Sequence, residues 1–342
     1  MKILTAFSQR NNISKASIVL LTVAFLFIHF NQKRYLSENE VIQWDAISYY
    51  AYLPAFFIYD DITLEFVKQK RTEKYRIWYD KTEDGKRFLR YTMGMAIMYS
   101  PFFFLGHLSA HLLDYSPWGY SVPYKFFLQL GCILYVIIGL IFLRKILLRY
   151  FSDTVSSIAL IAIVLGTNLL YYSTIENTMP HAYNFTLITI FLYLTIRWHE
   201  KITVKNSILI GLVTGLIILV RPIDGLIVLF FIFYDTFNKY SIIGKINYFL
   251  RNYIYILIIL GVAIATLFPQ FLYWKTVTGK WFFYTYGVSG GNFYFDNPQI
   301  INGLFSYRKG LLLYVPLMSI AIIGIPLLYK WNRKFFGAIA IF

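Results

Sequence analysis

Long apolar runs separated by short polar segments make up most of the sequence. Most runs are about 16 to 20 residues long, the length that a helix needs to cross a hydrocarbon core of roughly 30 Å. The runs lie near residues 15–31, 91–113, 124–143, 154–172, 182–197, 206–220, 223–237, 253–273 and 311–329. The pattern predicts an all-α polytopic membrane protein, with one transmembrane domain over residues 1–342.

A further apolar run begins at Phe335 and stops with the sequence at Phe342. We therefore expect an incomplete reading frame or a truncated chain, with C-terminal parts of the function missing. At the other end, a basic stretch precedes the first run, but no small-residue cleavage site follows it. We interpret that run as an uncleaved first helix.

Composition agrees with a membrane protein and removes one class of partner. The chain is 58% hydrophobic and 14% charged, with a formal net charge of +15. In a soluble protein this charge would suggest nucleic acid, but here most basic residues lie between apolar runs. There they orient the helices and meet anionic membrane lipids, so nucleic acid is not an expected partner.

The basic segments also predict a topology, because they should mark the cytoplasmic loops. The clusters are Lys2/Arg10/Lys15, Arg144/Lys145/Arg149, Arg197/Lys201/Lys205, Lys239/Lys245/Arg251 and Lys330/Arg333/Lys334. If all are cytoplasmic, an even number of crossings separates each from the next, yet three runs separate the first two clusters. We expect the run at 91–113, which contains Pro101 and two histidines, to lie in the interface instead.

This assignment collects polar chemistry on the external side. Residues 32–123 become one external region with juxtamembrane helices, and 124–342 become a helical bundle with an external loop at 274–310. Asp45 lies in the first region, where its role is either a helix cap or solvated loop residue, or a functional carboxylate. Arg90, beside Tyr91, is placed to pair with a lipid phosphate or simply to snorkel to the interface.

Three later segments carry further candidates. Glu176 and His181 lie at an external helix junction, where the histidine has a role as proton carrier, phosphate donor, metal ligand or structural hydrogen-bonding group. Arg221 and Asp224 interrupt an apolar stretch and form either a functional pair or an ion pair that pins a helical hairpin. Arg308 and Lys309 close the last external loop and either bind phosphate or flank a helix end.

The order of these motifs resembles the GT-C superfamily of polyprenyl-phosphate-sugar glycosyltransferases. The nearest resemblance is to bacterial relatives of protein O-mannosyltransferases and lipid A aminoarabinose transferases. The segments that carry it are Asp45, Arg90-Tyr91 with Gly94 and Pro101, MPHAYNF around His181, LVRP at Arg221, and PQFLYWKTVTGKWFFYTYG followed by FSYRKGLLLYVPL.

The resemblance implies a GT-C-like helical bundle whose first external loop carries a catalytic aspartate and interfacial helices. It implies a lipid-linked sugar donor, and attack with inversion by a hydroxyl of a lipid, glycan or protein acceptor, with Asp45 as base. The expected substrate-binding residues are Arg90, Tyr91, Glu176, His181, Arg221, Arg308 and Lys309. The sequence identifies no second acidic residue of the site.

We expect an integral protein of a bacterial cytoplasmic membrane, with its active site facing the periplasm. No cofactor is assigned from the sequence, and the use of a divalent metal stays open. The alternative function is a secondary transporter in which Arg221, Asp224 and Glu176 line a charged path through the membrane.

Overall fold

The computed structural model describes residues 12–69, 77–237, 239–285 and 295–341. The helices are α1 (Ile13–Gln32), α2 (Asp45–Phe57), α3 (Gly94–Leu112), α4 (Val122–Leu147), α5 (Asp153–Leu165), α6 (Leu169–Thr174), α7 (Pro180–Glu200), α8 (Val204–Val220), α9 (Val228–Phe233), α10 (Ile242–Arg251), α11 (Tyr253–Thr278), α12 (Ile300–Phe305), α13 (Leu311–Tyr314), α14 (Leu317–Trp331) and α15 (Arg333–Ile341). Short 3₁₀ turns span Arg34–Leu36, Glu65–Lys68 and Pro222–Ile227.

The predominantly helical fold agrees with the sequence prediction, with one small exception. Strands β1 (Tyr79–Lys81) and β2 (Arg87–Leu89) form an antiparallel hairpin, with Asp80 opposite Phe88. The turn between them contains Gly85 at φ 80°, a left-handed conformation that glycine adopts without steric cost. The first polar region is therefore not purely α-helical.

Three helical segments of the described residues are long and apolar enough to cross a membrane. They are Ile13–Leu36, Val122–Leu147 and Tyr253–Thr278. Shorter apolar helical segments are Asp153–Leu165, Val204–Val220, Pro222–Phe233 and Leu317–Trp331. Length and composition thus support a membrane protein, while the number of crossings and their orientation stay predictions.

Small residues allow the central helices to approach closely. A side chain at Gly211 would collide with the backbone of Ile259, and one at Gly215 would collide with Thr266. These two glycines lie four residues apart on one face of α8. The carbonyls that they approach on α11, those of Ile259 and Ala263, are also four residues apart. Inside a membrane the hydrophobic effect contributes little to helix association, because lipid tails are as apolar as the side chains. Helices there associate through close backbone contacts at small residues.

Helix α3 packs on α4 from its start to its middle. Gly106 lies against the backbone of Tyr124, and Tyr135 Oη donates to the carbonyl of Met98 at 2.9 Å. The later part of α4 is covered by α7, where Gly139 faces Phe185. The first turns of α3 and α7 meet beside the middle of α4, where the rings of Tyr99 and Tyr183 are 5.5 Å apart.

The first residue of α3 meets the end of α8. Gly94 lies so close to the backbone of Leu219 and Val220 that no side chain fits there. Helix α3 thus begins where α8 ends and continues away from it. Helix α3 is not among the candidate spans of the described residues, and its position in the interface stays a prediction.

Two predicted boundaries are wrong. The run at 223–237 is not one helix, because Pro222 starts a 3₁₀ turn that leads into the short α9. The loop expected at 274–310 begins later, because α11 continues to Thr278 with Trp274 and Val277 buried. Gly279, at φ 78°, ends the helix. Residues 286–294 of that loop lie outside the described residues.

Candidate functional site

The candidate catalytic residue, Asp45, is the first residue of α2. Trp44, just before it, has φ 51° and ψ −135°, a sparsely populated conformation that costs roughly 1–3 kcal/mol and persists only where the surroundings impose it. The Asp45 side chain is half-buried. Among the described residues it has no hydrogen-bond or ion-pair partner, and its charge acts on the nearby Arg90.

Arg90 and Tyr91 belong to a segment, residues 89–93, whose backbone is held from two sides. Its first amide donates to Tyr273 Oη at 3.0 Å, and its last amide donates to Gln270 Oε1 at 2.8 Å. Its threonine hydroxyl donates to the carbonyl of Leu219 at 2.6 Å. These bonds tie the segment to α11 and α8, so the side chain of Arg90 starts from a fixed backbone.

The guanidinium of Arg90 is already engaged by a carboxylate that sequence reasoning missed. Its Nε and Nη2 atoms donate to the two oxygens of Asp80 at 2.9 and 3.1 Å, a bidentate geometry. Hydrogen bonding to Asp80 raises the pKa of Arg90 above its ordinary value. Arg90 therefore fits a positioning role beside Asp45 better than the role of a free phosphate ligand.

Tyr91 is fixed by two contacts from α2. Its ring stacks on Tyr49 with centroids 4.6 Å apart, and its carbonyl accepts a hydrogen bond from Tyr52 Oη at 2.7 Å. One face of the Tyr91 ring is thereby covered. Since these tyrosines follow Asp45 in the same helix, Tyr91 also fixes how α2 presents the carboxylate.

Arg221 follows the last residue of α8, and Asp224 lies within the 3₁₀ turn after it. The closest approach between them, from Arg221 Nε to Asp224 Oδ2, is 3.9 Å, longer than a hydrogen bond. Asp224 instead accepts a hydrogen bond from Asn184, which is only 4% exposed and was not singled out in the sequence. Among the described residues the Arg221 side chain donates no hydrogen bond, and it is 38% exposed, so it can receive an anion.

His181 and Glu176 join this group through an aromatic ring. The imidazole of His181 lies 4.0 Å from the centre of the Tyr172 ring, and the charges of Arg221 and Asp224 both act on it. The charges of Glu176 and Arg221 both act on the hydroxyl of Tyr172.

Glu176 connects the group back to Asp45. Its carboxylate accepts a hydrogen bond from Tyr171 Oη at 3.1 Å, and it lines a small crevice together with Arg34 and Trp44. Because Trp44 directly precedes Asp45, six of the eight expected site residues belong to one connected group. We call it the acidic–basic cluster: Asp45, Arg90, Tyr91, Glu176, His181 and Arg221, together with Asp80 and Asp224.

The structure does not bring the two remaining residues to the cluster. Arg308 and Lys309 lie in an exposed turn before α13, and neither has an ion pair or a side-chain hydrogen bond with any described residue. The described residues also contain no group of three or more His, Cys, Asp or Glu side chains arranged to hold a metal ion.

A lateral groove of about 520 Å³ lies next to the cluster. Its lining is almost wholly apolar and comes from α2, α3, α11 and the segment 58–62: Tyr52, Leu53, Phe56, Phe57, Ile62, Met93, Ala96, Ile97, Ser100, Phe104, Pro269, Leu272, Tyr273 and Thr276. Tyr52 lines the groove and also bonds the backbone of Tyr91, so the groove borders the cluster directly.

Comparisons of this chain with protein-family models, with curated proteins and with solved structures find no match.

Proposed function

We propose that the chain is an integral-membrane glycosyltransferase that moves a sugar from a polyprenyl-phosphate donor to an acceptor hydroxyl. The observation that carries this proposal is the environment of the Asp45 carboxylate. A half-buried carboxylate without a described partner, held at a helix start, has both oxygens open to the hydroxyl of an acceptor. A purely structural aspartate at this position would be expected to cap the helix or to form an ion pair.

In the proposed reaction the acceptor oxygen attacks the anomeric carbon from the face opposite the phosphate. The carbon–oxygen bond to the phosphate breaks as the new bond forms, so the configuration inverts. The acceptor proton passes to Asp45, and polyprenyl phosphate leaves with the electron pair. Arg90, paired with Asp80, would hold the position of Asp45.

Arg221 is the best candidate to receive the donor phosphate. It has free donors among the described residues and lies in the same cluster as His181. A cation aimed at the departing oxygen stabilises the charge that grows there in the transition state. Arg308 and Lys309 lack such a position and take no part in this proposal.

The lateral groove supports a donor that arrives within the bilayer. Its apolar walls suit an isoprenoid chain, and its border with Tyr91 would bring the phosphate end of the chain toward the cluster. A lipid-linked donor reaches such a groove by lateral diffusion. We place the site on the periplasmic side of a bacterial cytoplasmic membrane.

The transporter alternative relies on the same charged residues. Arg221 and Asp224 belong to the acidic–basic cluster, at the break between α8 and the 3₁₀ turn that follows it. Transporter sites also use broken helices, so this position does not separate the two functions. The adjoining apolar groove favours a lipid-linked substrate over a free solute.

A donor assay tests the proposal and does not require the acceptor to be identified. Purified protein is returned to vesicles of native lipid extract, and release of polyprenyl phosphate from a panel of polyprenyl-phosphate sugars is measured. We expect one donor to be consumed by the wild type and by Asp84→Asn, which changes an exposed hairpin carboxylate that pairs with Lys86 and is not a member of the cluster. Movement of an intact donor or of a free solute, without release of polyprenyl phosphate, would support the transporter instead.

A further inference from the structure

Two histidines of α3 that the proposed reaction does not use face each other on the helix surface. His107 and His111 are four residues apart, so their side chains lie one helical turn apart on the same face. Their Nε2 atoms are 3.3 Å apart. His111 is exposed and His107 is partly exposed.

The separation of the two nitrogens matches a chelate. Zinc–imidazole bonds of about 2.0–2.1 Å at a tetrahedral angle place two ligand nitrogens about 3.3–3.4 Å apart. The pair is therefore already spaced to hold one ion without a change of backbone. A histidine–histidine hydrogen bond also accounts for this distance in the metal-free protein, so spacing alone does not decide the role.

A second observation concerns the orientation of the ring. Tyr124 Oη bonds the carbonyl of Pro117 at 3.1 Å and lies 2.5 Å from Nδ1 of His107. This contact on Nδ1 holds the ring with Nε2 toward His111. When the hydroxyl proton is given to the carbonyl, Nδ1 carries the imidazole proton and the lone pair is on Nε2. Such an outer partner, which fixes the tautomer and orientation of the ring, is usual behind metal-bound histidines.

We propose that His107 and His111 bind one divalent transition-metal ion of the zinc–copper class through their Nε2 atoms, with Tyr124 as the orienting residue. Imidazole nitrogen suits these metals, and copper should bind most tightly of the divalent series. No third His, Cys, Asp or Glu of the described residues completes the site. The remaining coordination positions are thus open to water or to an anionic oxygen ligand.

The test uses the full chain in detergent without a polyhistidine tag, with Cu²⁺ and Zn²⁺ as the probes. We expect one Cu²⁺ per chain, with an electron paramagnetic resonance spectrum that shows coupling to two imidazole nitrogens. His111→Ala should lower Zn²⁺ affinity by at least about 100-fold, and Tyr124→Phe by about tenfold. Ser109→Ala, which changes a residue between the two histidines that cannot serve as an imidazole ligand, should bind as the wild type does.

Because His111 is exposed, its replacement should not impair folding, and thermal unfolding of the metal-free variant checks this. If His111→Ala and the wild type bind Cu²⁺ equally, or if the wild-type spectrum shows one imidazole nitrogen or none, the chelate does not exist and the pair is a hydrogen bond alone.

Discussion

Replacing Asp45 by asparagine separates a catalytic carboxylate from a structural one. The substitution keeps the shape of the side chain and its reach for hydrogen bonds, but it removes the base. A general base contributes about 10² to 10⁴ in rate, which corresponds to roughly 3–5 kcal/mol of transition-state stabilisation. We expect transfer to fall by at least a hundredfold while donor binding changes little.

The structure predicts a much smaller effect of this substitution on stability. Asp45 has no described hydrogen-bond or ion-pair partner to lose, so the main loss is its favourable interaction with the amino-terminal end of α2. Such an interaction is worth about 0.3–1 kcal/mol. Its attraction to the neighbouring Arg90 adds little, because that guanidinium is already paired.

Asp80→Asn is the matched comparison, since it neutralises another carboxylate in the same cluster. It breaks a bidentate pair in which Asp80 is 16% exposed and Arg90 is 32% exposed. We expect a loss of about 1–2 kcal/mol, at the lower end of the range for charged hydrogen bonds because of the exposure of Arg90. Its transfer rate should fall less than that of Asp45→Asn.

The assay measures polyprenyl phosphate released per turnover, with thermal unfolding in detergent on the same samples. For Asp45→Asn we expect a large loss of transfer rate with little destabilisation. For Asp80→Asn we expect a larger destabilisation and a smaller loss of transfer rate. A folded Asp45→Asn protein with near-normal turnover would refute the assignment of Asp45 as base. A large destabilisation without a specific rate loss would instead indicate a structural carboxylate.

Two further substitution pairs test the cluster and its frame. Arg221→Ala should abolish transfer and weaken donor binding, whereas Asp224→Asn should retain most activity because its oxygen bonds Asn184 and lies 3.9 Å from the guanidinium. If both folded variants retain transfer, Arg221 does not bind the phosphate. Gly94→Ala should destabilise the protein by about 1–3 kcal/mol, since its methyl group would meet the backbone at the end of α8. The control Gly261→Ala enters open space and should leave the unfolding temperature unchanged or raised, and equal behaviour of the two glycine variants would contradict the close contact.

Hydrophobic length and loop charge predicted more of this fold than any single motif did. The apolar runs anticipated the long helices α1, α4 and α11 because each must satisfy its own backbone hydrogen bonds within an apolar environment. The parity of the basic loops singled out 91–113 although its composition is also apolar. Helix α3 begins where α8 ends and packs on α4 from its start to its middle, and its position relative to the membrane stays a prediction.

The parts that the sequence did not reveal depend on tertiary contacts. Asp80 was hidden in a run of mixed charges, and only the pairing of β1 with β2 aligns it with Arg90. Asn184 lies in an apolar helix, where nothing local indicates that it donates to Asp224. A buried asparagine amide in such a helix is costly unless it is bonded. The residue type alone therefore indicated that Asn184 has a polar partner, but not which one.

The expected roles of the basic residues changed for the same reason. Arg90 and Arg221 are equivalent in sequence terms, as cations at the end of an apolar segment. In the structure Arg90 donates two hydrogen bonds to one carboxylate, while the Arg221 side chain donates none to the described residues. Arg308 resembles both in sequence, but its turn is exposed and remote from any described partner.

The contact between the loop after α1 and the start of α4 gives the topology a structural basis. Lys125 is 3% exposed, and its Nζ donates to the carbonyls of Ser37 and Glu38 at 2.6 and 3.2 Å. The end of α1 and the start of α4 therefore lie together. If both lie on one side of the membrane, an even number of crossings, zero included, separates them, which supports the prediction that α3 is not a lone span.

Labelling with a membrane-impermeant thiol reagent tests this prediction in intact cells. Cys132 is the only cysteine and is fully buried, so Cys132→Ser provides a background without reactive thiols. We expect Glu40→Cys and Trp118→Cys, which lie before and after α3, to be labelled from outside. Lys201→Cys, an exposed residue in a predicted cytoplasmic loop, should be protected until the cells are opened. Labelling at 40 with protection at 118 would mean that α3 spans the membrane, and Asp45 and the segment that follows α3 would then lie on opposite sides of the membrane.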